Sequence, residues 1–147
     1  MHQCMETVPG PDGIATLRPI GIIRSPYLRR GDAPRQGRFS DKESAIEVLP
    51  AYMEGLGDVE LHPHLIVLYW LDRADRDTLR ATPPGTSTEH GVFATRSPDR
   101  PNPIGFAVVD LIRREGTRLV VRGLDALDGT PLLDIKPYSA ATDCIRT

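Results

Sequence analysis

The sequence lacks the features that mark disulfide-rich, membrane-spanning or secreted proteins. Its two cysteines, Cys4 and Cys144, lie near opposite ends of a 147-residue chain, which excludes a disulfide framework. The longest apolar run, residues 65–71, is far shorter than a bilayer-spanning helix. Because no charged-then-apolar leader opens the chain, we expect no secretory signal. These absences predict a reduced, cytoplasmic protein without a membrane segment.

Common catalytic and nucleic-acid signatures are also missing. The chain has no Gly-x-Ser-x-Gly motif, no phosphate-binding P-loop and no Cys/His dyad. Aromatic residues make up 5% of it, so a platform of stacked aromatics for RNA is not expected. The net charge of −2 excludes a wholly basic coat. If RNA binds, we expect charge and shape to dominate over stacking.

The histidines do not predict a metal site. His62 and His64 are two residues apart, which on a strand places both on one face, and His90 is a candidate third ligand. Pro63 interrupts the ladder between them, however, and no Cys, Asp or Glu stands at a supporting spacing. We therefore expect no bound metal.

Arginine is abundant and unevenly distributed. Of the 18 cationic residues, 16 are arginine, the planar donor suited to carboxylate and phosphate. Residues 18–42 carry seven cations against two acids, residues 43–79 two against eight, and residues 80–122 seven against four. Two arginine-rich segments can thus converge on one basic face of an acidic protein, although scattered solvated arginines are the alternative.

Turn-forming residues point to an all-β domain. Fourteen prolines and thirteen glycines favour many turns and short strands over long helices. We predict about seven strands, at residues 17–24, 44–49, 61–71, 104–112, 118–124 and 132–135 and in the run entering residue 94, with short helical turns at 51–56 and 74–80. The absence of βαβ alternation favours a small, mostly antiparallel β-barrel. The predicted organisation is a flexible tail at residues 1–15, a barrel domain at 16–140 and a frayed end at 141–147.

The stretch GVFATRSPDRPNPIG, residues 91–105, is the strongest candidate for a binding element. Pro98, Pro101 and Pro103 fix φ and cannot donate to a sheet ladder, so the stretch is a stiffened loop between two strands. A loop that only had to turn would be shorter and richer in Gly, Asn and Asp. We infer that the rigidity holds Arg96, Arg100 and Asn102 in position for a ligand that is anionic.

Two further segments carry polar residues in shaped backbone. The long loop at residues 28–41 contains Pro34-Arg35-Gln36 next to Gly37, and loops of this length in compact domains are usually functional or disordered. The segment 124–131 contains Asp125 and Asp128-Gly129-Thr130. It is either a turn that caps a hairpin or the source of a carboxylate for a ribose diol or an ammonium group. An aspartyl phosphatase site is disfavoured because its parallel α/β sheet is missing.

Taken together, the motifs GIIRSPY (21–27), APRQG (33–37), GVFATRSPDRPNPIG (91–105) and LDALDGTPLLDIKPY (124–138) resemble one family closely. It is the TsaA-like, TrmO/YaeB family of S-adenosylmethionine-dependent tRNA N6-adenosine methyltransferases. The resemblance covers residues 17–138 in the family's order. It implies a small antiparallel barrel that binds S-adenosyl-L-methionine, usually as a homodimer with the cofactor near the subunit interface. It also implies methylation of N6 of the threonylcarbamoylated adenosine 3′ of the tRNA anticodon.

The resemblance also implies which residues contact the cofactor. By motif they are Pro34, Arg35, Gln36, Asp72, Arg73, Arg96, Phe106 and the turn Asp125, Ala126, Leu127 and Asp128. The family often has His-Gln where this chain has Asp72-Arg73. Many members carry a further C-terminal domain that helps to bind tRNA.

Three residues are candidates for the catalytic step. Methyl transfer to an exocyclic amine depends on in-line positioning more than on acid–base chemistry. Asn102, held between two prolines, is our candidate for orienting the target N6, and Tyr138 is a candidate stacking partner. Lys136, next to Asp134, either contacts RNA phosphate, neutralises the turn or is a plain surface lysine. The alternatives to a tRNA methyltransferase are a small-molecule methyltransferase and a non-catalytic cofactor- or RNA-binding module.

Overall fold

The structure, a computed structural model, describes residues 14–34, 38 and 40–146. Within them the chain forms eight strands and a few short helices. The strands are β1 Gly21–Arg24, β2 Glu43–Val48, β3 His64–Trp70, β4 Arg80–Ala81, β5 His90–Gly91, β6 Ile104–Glu115, β7 Arg118–Arg122 and β8 Pro131–Pro137. The helices are three 3₁₀ segments, Pro50–Leu56, Val59–Leu61 and Val92–Ala94, and one α-helical turn, α1, Ala140–Asp143.

Six of the strands close into an antiparallel barrel in the order β1-β2-β7-β6-β3-β8. β8 pairs with both β3 and β1, so the first and last barrel strands complete the circle. Closure leaves no unpaired sheet edge among these six strands, which removes a common route to edge-to-edge association. The predicted small antiparallel barrel is confirmed. β4 and β5 form a separate two-stranded hairpin.

β3 shows how the core is built. Leu65, Val67 and Tyr69 point inwards and are at most 2% exposed, whereas the residues between them are half-buried. An unbroken apolar run such as residues 65–71 is typical of a strand that is buried on both faces, and for β3 that interpretation is wrong. Successive side chains of a strand alternate between its faces, and the outer face of β3 is left only partly covered.

The long strand β6 serves two neighbours. Its first half pairs with β3, from Ile104 to Asp110, and its second half pairs with β7. The pairing register with β7 shifts between Leu111 and Arg113, and such irregularities bend a strand. This bend explains why β6 runs to Glu115, three residues beyond the predicted end.

Two of the smaller predictions have opposite outcomes. The helical turn expected at residues 51–56 is confirmed as a 3₁₀ helix with Pro50 in its first turn. The helical turns expected at residues 74–80 are wrong, since this segment holds turns and bends before β4. Asp75 accepts a hydrogen bond from the backbone N–H of Asp77, and Asp99 accepts one from that of Asp75. Such local side-chain bonds compete with helix formation.

The described residues include most of the predicted C-terminal end of the chain but little of the predicted N-terminal tail. The predicted tail falls mostly at residues 1–13, which lie outside the described residues. The helical turn α1 occupies a stretch for which the sequence predicts a frayed end, and its residues are exposed. Among the described segments, no helix has the length and hydrophobicity needed to cross a bilayer.

Candidate cofactor site at one end of the barrel

Antiparallel pairing gathers the main motif segments at one end of the barrel. Tyr69, near the end of β3, lies opposite Gly105 at the start of β6 and opposite Leu132 at the start of β8. The loop 91–103 that leads into β6 and the turn 123–130 that leads into β8 therefore arrive at the same place. The strongest sequence motif and the aspartate turn thus meet although they are far apart in the sequence.

A close contact between Gly105 and Tyr69 fixes the entrance to β6. Tyr69 is 2% exposed, and a Cβ added at Gly105 would lie 2.1 Å from the tyrosine Cε2 atom. No side chain fits at that distance. Gly105 therefore lets the Tyr69 ring lie against the backbone of the neighbouring strand, which directs the phenol towards the end of the barrel.

The Tyr69 hydroxyl donates a hydrogen bond to the Asp125 carboxylate. Burial raises the pKa of Asp125, while the Tyr69 hydrogen bond and the charge of Arg96 act in the opposite direction. Burial together with the Asp125 charge raises the pKa of Tyr69 far above its ordinary value, so the phenol stays protonated. In this bond the tyrosine donates and the aspartate accepts.

Arg96 and Phe106 form the neighbouring part of the site. The Arg96 guanidinium lies 5.6 Å from the centroid of the Phe106 ring, a distance typical of a cation–π contact. Phe106 is 47% exposed on the outer face of β6. Among the described residues, Arg96 makes no side-chain hydrogen bond. Its guanidinium N–H groups thus remain available to an anionic ligand.

The two aspartates of the turn have different surroundings. Asp128 accepts a hydrogen bond of 3.1 Å from the backbone N–H of Ser25 and lies 3.9 Å from an Arg24 nitrogen. Its own backbone N–H donates to the Tyr27 carbonyl. Asp128 therefore stabilises the turn, which is the first of the two roles considered for this segment. For Asp125, the second role stays a prediction.

The two residues between these aspartates contribute backbone groups. Ala126 is 1% exposed, and its carbonyl accepts a hydrogen bond of 2.7 Å from the Ser25 hydroxyl. The Leu127 carbonyl accepts from the Thr130 hydroxyl at 2.7 Å. The turn is consequently fixed on both sides, so that Asp125 is held on rigid backbone.

Arg73 connects this turn to the loop that begins at residue 28. Its guanidinium donates to the carbonyls of Leu28 and Asp128, each at 3.1 Å. Asp72, next to it, is exposed and makes no side-chain hydrogen bond within the described part of the chain. Of this predicted pair, Arg73 thus organises the backbone and Asp72 presents a free carboxylate.

Two ion pairs anchor the loop that contains the predicted Pro-Arg-Gln motif. Arg30 bonds to Asp99 at 3.2 Å, and Arg38 bonds to Asp110 at 2.8 Å. Pro34 lies between these anchors and is half-buried. The other two residues of the motif, Arg35 and Gln36, lie outside the described residues. The anchors attach their loop to the 91–105 segment and to β6.

The candidate catalytic residues fall into two groups. The side-chain oxygen of Asn102, Oδ1, accepts a hydrogen bond of 3.1 Å from Arg76. Arg76 also donates to the backbone carbonyl of Pro101 at 2.7 Å. Tyr138 lies beside His64 with ring centroids 6.3 Å apart. Lys136 lies 3.4 Å from the Asp134 carboxylate, as expected if it neutralises local charge.

These two groups lie at opposite ends of β3. Asn102 precedes Ile104, which pairs with Trp70, whereas the Tyr138 backbone bonds to His64. Six residue steps along β3 lead from His64 to Trp70, or about 20 Å at the usual rise per residue. One chain therefore does not bring Asn102 together with Lys136 and Tyr138.

Two positions that matter to this site were not singled out from the sequence. Arg76 lies in a segment predicted to be helical, and its ring contact with Trp70, at 5.1 Å, depends on the true loop. Tyr69 looked like an ordinary core residue of an apolar strand. The nearby Gly105 was the available signal, because a glycine in a strand often marks a close approach.

A polar pair and one cavity lie away from this end. His64 bonds to Asp110 at 2.9 Å, and the described residues contain no group of three or more His, Cys, Asp or Glu side chains able to hold a metal. A cavity of about 530 Å³ lies beside the 3₁₀ helix Pro50–Leu56, and none of the predicted site residues lines it.

Comparisons with known proteins agree with this geometry. The family model of the tRNA-methyltransferase O N-terminal domain matches residues 22–144. A probable S-adenosyl-L-methionine-binding protein of Archaeoglobus fulgidus is 61% identical over 132 residues, covering 90% of this chain and 36% of its own length. An S-adenosyl-L-methionine-binding protein of the same organism is 56% identical over 130 residues, covering 88% of this chain and 94% of its own length.

A solved structure is similar over the same region. The crystal structure of TrmO from Pseudomonas aeruginosa matches with a TM-score of 0.73 at 36% identity, covering 90% of this chain and 60% of that chain. This chain thus spans about a third of the first relative and three fifths of the solved chain.

Proposed function

Because the chain belongs to the family of the tRNA-methyltransferase O N-terminal domain, we propose that it methylates N6 of the threonylcarbamoylated adenosine 3′ of a tRNA anticodon, with S-adenosyl-L-methionine as methyl donor. The observation that carries this proposal is the convergence of Asp125, Arg96 and Phe106 at one end of the barrel. The catalytic unit is the barrel domain, residues 16–140, and the reaction belongs to the cytoplasm.

The residues at this end fit the chemical groups of the cofactor. S-Adenosyl-L-methionine carries a carboxylate, an ammonium group, a ribose diol and an adenine, and it supplies an electrophilic methyl group when bound. Arg96 offers guanidinium donors for the carboxylate, and Asp125 offers acceptors for the ammonium group or the diol. Phe106 adds an exposed ring for an apolar contact. The names of the two Archaeoglobus proteins support this choice of cofactor.

We assign to Asn102 the role of orienting the methyl acceptor. The N6 nitrogen of the threonylcarbamoylated base is conjugated to the purine and to the carbamoyl group, so it is a poor nucleophile. It carries a single N–H, and an acceptor for that N–H favours the reactive pyramidal form. The Asn102 oxygen has two lone pairs, of which the bond from Arg76 occupies one. The flanking Pro101 and Pro103 limit its movement. Asn102 thus holds a preset acceptor, and this role fails if Asn102→Ala retains full methylation activity and substrate affinity.

The outer face of β3 and β6 supports assembly as a homodimer. Outward-facing apolar residues of β3 lie opposite outward-facing apolar residues of β6 and make this face apolar. Two of these residues, Ile104 and Phe106, are 45% and 47% exposed. The others are Ile66, Leu68, Trp70 and Val108. A two-fold axis through such a face makes a self-complementary interface. Where this axis runs across the strands, it brings the Tyr138 end of one subunit towards the Asn102 end of the other and unites groups that one chain keeps apart.

Two measurements test the proposed function. Titration calorimetry with S-adenosyl-L-methionine is expected to show binding, and its absence would remove the cofactor from the proposal. Mass spectrometry of anticodon-loop nucleosides from a deletion strain is expected to show loss of the N6-methylated form, restored by the wild-type gene. Cofactor binding with unchanged nucleosides would instead indicate a small-molecule methyltransferase or a non-catalytic binding module.

A further inference from the structure

Phe93 is held in an exposed position by a rigid backbone. It occupies the middle of the 3₁₀ segment Val92–Ala94, in which Val92 is 1% exposed and anchors the chain inwards. The Val92 N–H donates to the Leu79 carbonyl at 2.9 Å, and the Thr95 hydroxyl donates to the Val92 carbonyl at the same distance. With its neighbours fixed, the Phe93 side chain points outwards and is 80% exposed.

Phe93 differs from the other aromatic residues that the structure describes. Tyr27 and Tyr69 are buried, and Trp70 and Phe106 each have an arginine over the ring. Tyr138 lies edge-on to a histidine, and Tyr52 is half-buried. Within the same part of the chain, Phe93 has neither a cation nor another ring over it. Its ring is therefore open to a stacking partner.

The loop beside Phe93 carries arginines that are not neutralised by ion pairs. Arg76 and Arg100 donate to carbonyl and amide oxygens of residues 95–102. Neither these two nor Arg96 lies within 4.0 Å of a carboxylate among the described residues, although Arg30, on the same side, is paired with Asp99. Unpaired guanidinium groups next to an open aromatic ring suit an anionic polymer that also presents flat bases.

We propose that Phe93 is a stacking platform for a nucleobase adjacent to the target adenosine, so that the protein recognises its acceptor within an unpaired RNA loop. The proposal rests on the proposed function and deepens it. An enzyme that modifies an atom of a base must take that base out of the stack, which leaves its neighbours without a stacking partner. Phe93 supplies that partner from the same loop segment as Asn102, the residue proposed to orient N6.

Three substitutions at Phe93 separate stacking from simple apolar contact. The probe is a synthetic anticodon stem–loop with the threonylcarbamoylated adenosine in place, and its affinity is measured by fluorescence anisotropy. Phe93→Ala is expected to weaken binding about 5- to 150-fold, the range for one stacked base. Phe93→Trp is expected to retain affinity, and Phe93→Leu, which keeps an apolar side chain but has no ring, is expected to behave like Ala.

The control is Leu61→Ala, because Leu61 is 73% exposed and lies at the other end of the barrel. It is expected to leave RNA affinity unchanged, and all variants are expected to bind S-adenosyl-L-methionine as the wild type does. Full RNA affinity in Phe93→Leu or Phe93→Ala overturns the platform alone. Dissociation of a dimer by Phe93→Ala, seen by sedimentation velocity, overturns it in favour of a subunit contact. A wild type that binds the cofactor but not RNA overturns the proposed function itself.

Discussion

At the scale of single residues, Gly105 has little freedom to vary. Gly105→Ala would place a methyl group inside the Tyr69 ring, so the ring or the strand has to move. Overpacking of this kind costs about 1–3 kcal/mol, and urea denaturation is expected to show a loss in the free energy of unfolding in that range. Gly91→Ala is the matched control, because a Cβ there meets nothing within 4 Å. Equal losses in the two variants would contradict the steric explanation.

The Tyr69 hydroxyl controls the charge of Asp125. Its hydrogen bond is one of the interactions that counteract the rise in the Asp125 pKa caused by burial. Tyr69→Phe keeps the ring but removes this bond, so the Asp125 pKa is expected to rise further. Cofactor binding that needs an ionised Asp125 weakens as the pH falls through that pKa. The weakening is therefore expected to begin at a higher pH in Tyr69→Phe than in the wild type.

Calorimetric titration with S-adenosyl-L-methionine across a pH series measures this effect. Tyr52→Phe is the control, since Tyr52 lines the cavity beside the Pro50–Leu56 helix and lies away from Asp125. If the pH dependence of the dissociation constant is the same in Tyr69→Phe and the wild type, Asp125 does not bind the cofactor as a carboxylate.

At the scale of elements, the loop between β1 and β2 is positioned by its two anchors. Exposed ion pairs contribute about 0.2–1 kcal/mol, so removing Arg30 and Arg38 is expected to change the melting temperature little. The double variant Arg30→Ala/Arg38→Ala is nevertheless expected to weaken cofactor binding about 2- to 10-fold, because binding must then order a freer loop. Arg122→Ala, which breaks an ion pair with Glu43 elsewhere, serves as control. Equal dissociation constants in all three proteins would show that the anchors do not serve the site.

Elements with a strong local signal were predictable from the sequence, and elements decided by tertiary contacts were not. The barrel strands followed from apolar runs and turn residues, and Pro50 marked its 3₁₀ helix. The helix prediction for residues 74–80 was wrong because Asp99, 24 residues away from Asp75, supplies a hydrogen bond that favours a turn over a helix. The burial of the outer face of β3 was not predictable, because composition does not show whether an apolar strand face will be covered.

The candidate site divides in the same way. The motifs identified Arg96, Phe106 and Asp125, which the fold brings to one end of the barrel. They did not indicate that Asp128 is engaged with Ser25, since a turn aspartate that caps backbone and one that binds a ligand have the same sequence pattern. They also did not reveal that Asn102 and Tyr138 lie at opposite ends of β3, because this separation depends on strand register.

At the scale of the whole molecule, the separation of Asn102 from Tyr138 leads to a test of the proposed homodimer. If each active site takes Asn102 from one subunit and Tyr138 from the other, Asn102→Ala and Tyr138→Ala homodimers are both inactive. In a mixed dimer, one of the two sites then has both wild-type residues. Equal mixing places half of the chains in mixed dimers, so about a quarter of the wild-type methylation rate is expected to return.

Mixing after reversible unfolding, followed by a methyl-transfer assay on the anticodon stem–loop, measures this recovery. Ile66→Arg puts a charge on the outer face of β3 and is expected to give monomers that neither methylate RNA nor complement either variant. Asn102→Ala/Tyr138→Ala mixed with wild type is the control for exchange, because its mixed dimers contain no intact composite site. A different result is that the mixture of Asn102→Ala and Tyr138→Ala dimers exchanges subunits and still recovers no activity. That result would mean that each chain completes its own active site and that Tyr138 serves another purpose.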